Sequence, residues 1–245
     1  MSDVITTRLR VPLRRPQAVP EVSALLWEPG RPVDGAAGLV LAHGAGTDMT
    51  SPLLRAVARG LAEQGHPVLL FNFSYTEAGR KAPDPMPRLE ACSREVAAVA
   101  RERFGGRPLV LGGRSMGGRV ASHLAAQGEP CDGLVFLGYP LHPPRRAGAA
   151  VPDDRLRTAH WPALRTPALF VQGDRDTLAD LALLERERAA RLAGPSQVHV
   201  VRGGDHGFAV RKRDGRDPAD VLAEIVGVVA AWVSGLSPAA AEAGA

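Results

Sequence analysis

Residues 109–118 read LVLGGRSMGG, an apolar run that ends in glycines and sets Ser115 between Gly113 and Gly117. This is the pattern expected where a strand stops, the chain turns sharply and a helix begins with the serine at the apex. The flanking glycines let the backbone pass close to its neighbours, which pushes the serine hydroxyl out to where a substrate can meet it. In a chain with 27 glycines the pattern alone arises by chance about 0.1 times, so its surroundings must carry the reading. A serine hydroxyl is a weak nucleophile without a base in hydrogen-bond reach. His206, in VVRGGDHGF, follows the last apolar run, and Gly203, Gly204 and Gly207 give its loop the freedom to reach the serine. An imidazole can take a proton and hand it back near neutral pH. A carboxylate must then fix its tautomer, and the GDRD segment offers Asp174 and Asp176, of which Asp176 is favoured. Asp205 is set aside, because side chains of adjacent residues diverge.

Acyl transfer also needs donors aimed at the oxygen on which negative charge develops. HGAG at 43–46 offers the backbone N–H of Ala45, and Met116, directly after the serine, offers a second. A phosphate cradle is the rival reading of such glycines, but no Walker lysine follows and the dinucleotide spacing is absent. His43 reads as a brace for the HGAG loop. Arg114 inside the elbow has two readings, a contact for an anionic substrate or a structural partner for a carboxylate. Gly44 and Tyr75 are candidate substrate contacts, and His142 and Trp161 also lie in loops that could border a pocket. Cys92 and Cys131 have neither metal-ligand spacing nor a disulfide framework, so they read as reduced structural thiols. The chemistry calls for no metal and no organic cofactor.

The elements that must position these residues alternate along the chain. GLVLA (38–42), PVLLFNF (67–73), PLVLGG (108–113), GLVFLGY (133–139), PALFVQG (167–173) and QVHVVRG (197–203) are short strands. Between and after them come amphipathic helices: one from Ser51, a cap, and Pro52 with Leu54, Val57, Ala58 and Leu61 on one face; one after a proline-rich loop through Pro87; one after Ser115; and LADLALLERERAARL and DPADVLAEIVGVVAAWVS. VITTRLRV and VSALLW near the start read as an antiparallel edge pair. Strands apolar nearly throughout, separated by helices, imply a mostly parallel sheet covered on both faces, with reactive groups on loops at the carboxyl ends of the strands. One α/β domain over 1–236 is expected, with a frayed tail at 237–245. The segment from Pro140 to Thr166 is too short and proline-rich for a large cap domain.

Composition excludes several classes. The net charge is only +4, the basic residues are nearly all arginine, and they alternate with acids as in LERERAAR, so no nucleic-acid face is expected. VLAEIVGVVAAWV is interrupted by Glu224 and too short to span a bilayer, so membrane insertion is not expected either. MSDVITTRLRVPLRRP has arginines and threonines where a secretory signal needs an apolar core, which points to the cytoplasm.

Taken together, LAHGAGTDMTSPLL, GGRSMGGR, GYPLHPP, TPALFVQGDRD and GGDHGF make the chain resemble an alpha/beta hydrolase over nearly its whole length, and within that superfamily the dienelactone-hydrolase-like group that includes testis-expressed protein thirty and its bacterial relatives. The chain order serine, aspartate, histidine is the one alpha/beta hydrolases use and differs from the orders of chymotrypsin and subtilisin. The group's GxxD pattern maps onto Gly173 and Asp176 and implies Asp176 as the triad acid. Dienelactone hydrolase itself uses a cysteine nucleophile, whereas this chain has serine. The expectation is a serine hydrolase acting on a small acyl substrate, an ester or thioester. A peptidase or amidase on the same fold, or an interaction protein that has kept the fold without turnover, are the alternatives.

Overall fold

The computed structural model describes residues 3–14, 17–31, 33–145 and 151–236, and the tail expected to fray lies outside them. Two nine-residue strands, β1 (Val4–Pro12) and β2 (Glu21–Pro29), form the antiparallel edge pair expected of VITTRLRV and VSALLW. Six shorter strands follow: β3 (Gly38–Ala42), β4 (Val68–Phe71), β5 (Leu109–Arg114), β6 (Gly133–Leu137), β7 (Ala168–Gly173) and β8 (Ser196–Val201). They join into one eight-stranded sheet of order β1-β2-β4-β3-β5-β6-β7-β8. Every pairing from β4 to β8 is parallel, while β2 meets β4 antiparallel.

The apolar runs follow from coverage on both faces. In β3, Leu39 and Leu41 face one core and Val40 and Ala42 the other. The first core is closed by α1 (Pro52–Glu63) and by the C-terminal helix Pro218–Ser234. The second is closed by the helices between them. In chain order these are α2 (Ser74–Glu77), α3 (Met86–Phe104), α4 (Met116–Ala126) and α5 (Leu181–Arg191), which makes Pro218–Ser234 α6. Leu54, Val57, Ala58 and Leu61 of α1 are all fully buried, as their spacing requires. Burying a leucine or valine of this kind is worth about 1.5–3 kcal/mol, so this face of α1 holds it to the sheet.

Several local expectations are corrected. Ser51 stands at the N-cap of α1, but its side chain makes no capping bond; Pro52 in the first turn removes one unsatisfied amide instead. Pro87 lies inside α3 rather than in the loop before it, in the first turn where its ring is tolerated. Helix α5 starts at Leu181, where the Asp180 side chain accepts from the Leu183 amide, and not at Leu178, whose amide is held by Asp176. Between β6 and β7 the described residues form only two single-turn 3-10 helices, at Asp153–Arg155 and Trp161–Ala163, so no large cap covers the sheet. Among the described residues no helix is long and apolar enough to cross a membrane.

Candidate active site

Ser115 sits at the turn between β5 and α4 with φ 52° and ψ −114°, a conformation that non-glycine residues rarely adopt and that costs about 1–3 kcal/mol. Its amide donates to the Leu137 carbonyl at 3.0 Å, which ties the turn to β6. A Cβ on Gly113 would lie 2.2 Å from the Ala42 carbonyl oxygen, and one on Gly117 would lie 2.3 Å from it. The turn therefore closes only because both positions lack side chains, for the reason the sequence suggested.

Three strand ends meet at this turn. The Ser115 hydroxyl donates to His206 Nε2 at 2.8 Å, and His206 Nδ1 donates to Asp176 Oδ2 at 2.7 Å. The Asp176 side chain is fully buried, with Oδ1 accepting the Leu178 amide at 2.7 Å and Oδ2 also accepting from Gln172 Nε2. Asp174 is turned elsewhere: its carboxylate accepts the Gly203 amide at 2.8 Å and staples the loop after β7 to the loop after β8. Asp205 accepts the amides of Gly207 and Ala209 at 2.8 and 2.9 Å, so it shapes the loop that carries His206. Gly138, just past β6, runs directly beneath that histidine; with φ +71° it would place a Cβ 3.2 Å from the His206 carbonyl oxygen and 3.6 Å from Nδ1.

The HGAG loop is held from behind. His43 is buried, its Nδ1 donates to the Gly44 carbonyl at 2.8 Å, and its Nε2 accepts the Phe73 amide at 3.2 Å. Burial pushes the His43 imidazole below its usual range, which keeps it in the neutral form that this pair of bonds requires. The same Gly44 carbonyl also accepts the amide and the hydroxyl of Thr47 at 3.3 and 3.0 Å. In a trans peptide the next N–H points the opposite way, so three donors on Gly44 oxygen orient the Ala45 amide away from them. Met116 is the first residue of α4 and its amide has no intrahelical acceptor. Both residues border the same cleft as Ser115, about 400 Å³ in volume, walled by Met86, Leu89 and Leu178. A larger open groove of about 690 Å³ lies over Trp27 and Arg55, and its lining contains no serine, histidine or cysteine.

The remaining sequence candidates divide. Tyr75 is buried, with its ring 5.9 Å from His43 and stacked near Phe73, so it supports the HGAG loop from inside and does not line the cleft. Its side-chain direction is set by the short helix α2, which the sequence pattern does not reveal. Trp161 is likewise core, with Nε1 donating to the Tyr139 hydroxyl at 3.3 Å, and His142 is buried against Pro143. The Arg114 guanidinium extends past Gly44 toward Gly207 and makes no ion pair among the described residues. Gln172 escapes a sequence reading because it looks like one more residue of a strand. It is buried between two roles, donating to Asp176 and accepting the Tyr139 amide at 3.0 Å.

A family model described as an alpha/beta hydrolase domain matches residues 35–234, from just before β3 to the end of α6. The chain belongs to the alpha/beta hydrolase domain family. Solved structures with this hydrolase fold include a dienelactone hydrolase from Anabaena variabilis, at 18% identity and TM-score 0.70 over 95% of this chain and 98% of that one. A protein from Thermus thermophilus matches at 24% identity and TM-score 0.68 over 94% and 98%. A serine hydrolase from Xanthomonas campestris, described as lacking a lid, matches at 18% identity and TM-score 0.67 over 94% of each chain. Likeness at these identities shows the fold of this alpha/beta hydrolase family member.

Proposed function

We propose that the protein is a serine hydrolase that cleaves an ester, thioester or related acyl bond of a small molecule through an acyl-enzyme on Ser115. The observation that carries this reading is the unbroken chain of hydrogen bonds from Ser115 through His206 to the buried Asp176 carboxylate. His206 Nε2 takes the Ser115 proton as Oγ attacks the acyl carbon. The resulting oxyanion is met by the amides of Ala45 and Met116, donors fixed before substrate arrives and therefore effective without reorganisation. Collapse expels the leaving alcohol or thiol, which receives the proton from His206 and leaves the acyl group on Ser115. Water then gives a proton to His206 and attacks the acyl-enzyme. The second collapse releases the acid and returns the proton to Ser115. Throughout, Asp176 stays ionised, keeps the Nδ1–H tautomer of His206 and stabilises the imidazolium that forms twice per turnover.

Support comes from the relatives as well. One solved relative is named a dienelactone hydrolase and another a serine hydrolase without a lid, and both have this fold. An uncapped cleft of about 400 Å³ suits a small acyl substrate. The test is labelling with a fluorophosphonate probe. Wild-type protein should react stoichiometrically and Ser115→Ala should not; equal labelling of the two, or none of the wild type, refutes the reading. A panel of p-nitrophenyl esters and aminoacyl anilides should show turnover of the esters, and faster turnover of the anilides would move the assignment to an amidase.

A further inference from the structure

Two arginines share the cleft with Ser115, and neither has an acid to answer it. Arg119 lies on the first turn of α4, four residues past the nucleophile, and Arg157 comes from the segment between β6 and β7. Among the described residues neither guanidinium takes part in an ion pair or a side-chain hydrogen bond, and the Nε of Arg119 is buried without any partner. Residues 146–150, RAGAA, contain no acid that could supply one. One carboxylate does line the cleft, that of Asp84, but it is committed elsewhere. Its Oδ1 accepts from Arg80 at 2.7 Å, its Oδ2 accepts from Ser74 at 3.0 Å, and Arg88 stands at 3.8 Å.

An arginine on an open surface needs no partner, whereas one half out of water without a counter-ion is costly. Arg157 is lowered from the usual arginine range, first by burial and then by repulsion from Arg119. Its position is nonetheless fixed. The Arg157 amide donates to the Leu141 carbonyl at 2.9 Å, and its own carbonyl accepts the Tyr139 hydroxyl at 2.9 Å, a hydroxyl that also accepts from Trp161. Arg119 is fixed by α4, its amide donating to the Ser115 carbonyl at 3.1 Å. The N-terminal end of α4 adds its own partial positive charge on the same side. Two positioned, uncompensated cations beside an apolar wall form a receptor for an anion attached to something greasy.

We infer that Arg119 and Arg157 select substrates whose acyl portion carries a second, anionic group, a carboxylate or a phosphate, which seats between the two guanidinium groups while the acyl carbon meets Ser115. The inference rests on Ser115 being the nucleophile. It names the class of substrate for the hydrolysis proposed above. A planar guanidinium pairs with either anion through two parallel N–H donors, and such charge-assisted bonds discriminate strongly against a ligand that lacks the charge.

The test compares two esters of equal chain length, p-nitrophenyl valerate and the mono-p-nitrophenyl ester of glutarate, with a phosphonate-terminated analogue as a third arm. The charged esters should show kcat/KM at least about ten-fold above the neutral one, with a preference that shrinks as salt is added. Arg119→Met and Arg157→Met should each lower that ratio about ten-fold, and Arg157→Lys should restore part of it. Arg59→Met, which removes a surface arginine paired with Glu63, should keep the wild-type ratio. A wild-type ratio near one, or a ratio unchanged in both methionine variants, overturns the proposal. Binding of glutarate and of 3-phosphonopropionate to Ser115→Ala, followed by calorimetry, gives a readout that needs no turnover. Loss of that binding on adding Arg157→Met supports the anion site even if no ester is cleaved, in which case the nucleophile reading fails alone. Ester cleavage without anion preference and without dicarboxylate binding defeats the anion site alone.

Discussion

Replacing Asp176 with asparagine changes one charge and almost no volume, and its effect is set by the donors around the side chain. Three of them converge on the carboxylate: Leu178 N–H on Oδ1, and Gln172 Nε2 and His206 Nδ1 on Oδ2. An asparagine has one acceptor oxygen. If that oxygen stays with the Leu178 amide, the new NH₂ group faces two donors, and His206 can only meet it with an unprotonated Nδ1. The ring proton then sits on Nε2 and points at the Ser115 hydroxyl, which is the wrong tautomer for a base. If the amide flips instead, its NH₂ confronts the Leu178 N–H in a fully buried site, at a cost of about 1–3 kcal/mol. The flipped amide would keep the His206 Nδ1–H bond only at that cost, and the unflipped one breaks the relay, while the fold persists in both. The same change in the Ser-His-Asp template lowers kcat about 10⁴-fold, equivalent to about 5.5 kcal/mol in the barrier at about 1.36 kcal/mol per decade. The assay is kcat on an activated p-nitrophenyl ester together with the rate of fluorophosphonate labelling, in Asp176→Asn and Asp174→Asn side by side. Asp174→Asn keeps an acceptor for the Gly203 amide and should stay within a few-fold of wild type. Retention of activity within ten-fold by Asp176→Asn, or an equal loss in Asp174→Asn, would show that the buried carboxylate does not set the tautomer.

Packing and burial set the outcome of other perturbations. Gly117→Ala puts a Cβ about where the Ala42 carbonyl oxygen already stands, 2.3 Å from it, and should cost about 1–3 kcal/mol, seen as a lower urea midpoint at unchanged m-value. The His160 imidazole, with Ser122 Oγ at 2.8 Å and His123 stacked at 3.9 Å, is pushed down to about 3 by burial, then by His123 and Arg119. Between the unfolded value of 6.5 and about 3 only the unfolded chain binds this proton, so stability is full above pH 6.5 and falls as pH drops. The urea-derived slope below pH 6 should flatten by about 1 kcal/mol per pH unit in His160→Gln, and an unchanged slope would remove His160 from the account. The Cys92 and Cys131 thiols are pushed up by burial to about 12 and about 11, so neither should react with a thiol reagent at pH 8 until the protein is unfolded.

The sheet was readable in the sequence because burial on both faces leaves a strand no room for polar residues. GLVLA, VLLF and GLVFL could scarcely be anything else, and Ser115 and Asp176 each come after such a run, whereas His206 follows the partly exposed edge strand β8. The side chains that act through direction were less readable. Gln172 lies within a strand and gives no sign that it faces the acid. Tyr75 depends on the turn of α2, a four-residue helix concealed in FNFSYTE, which swings the ring inward toward His43. Arg119 and Arg157 are 38 positions apart in the numbering, in a chain where arginine is common. Only the docking of the β6–β7 segment onto α4 distinguishes them from the arginines that line the outside.

Strand β6 supplies no group to the relay, yet it lies in the sheet between β5, which carries the serine, and β7, which carries the aspartate. To link them, His206 has to lean over the end of β6, and Gly138 is the floor it leans on. The close approach of the histidine's loop therefore depends on a glycine just past a bystander strand. A side chain at position 138 would press on the His206 carbonyl oxygen at 3.2 Å and strain a backbone held at φ +71°, while leaving every member of the relay chemically intact, so tolerance to substitution in this protein should track the path of the histidine's loop as closely as the identity of the residues it joins.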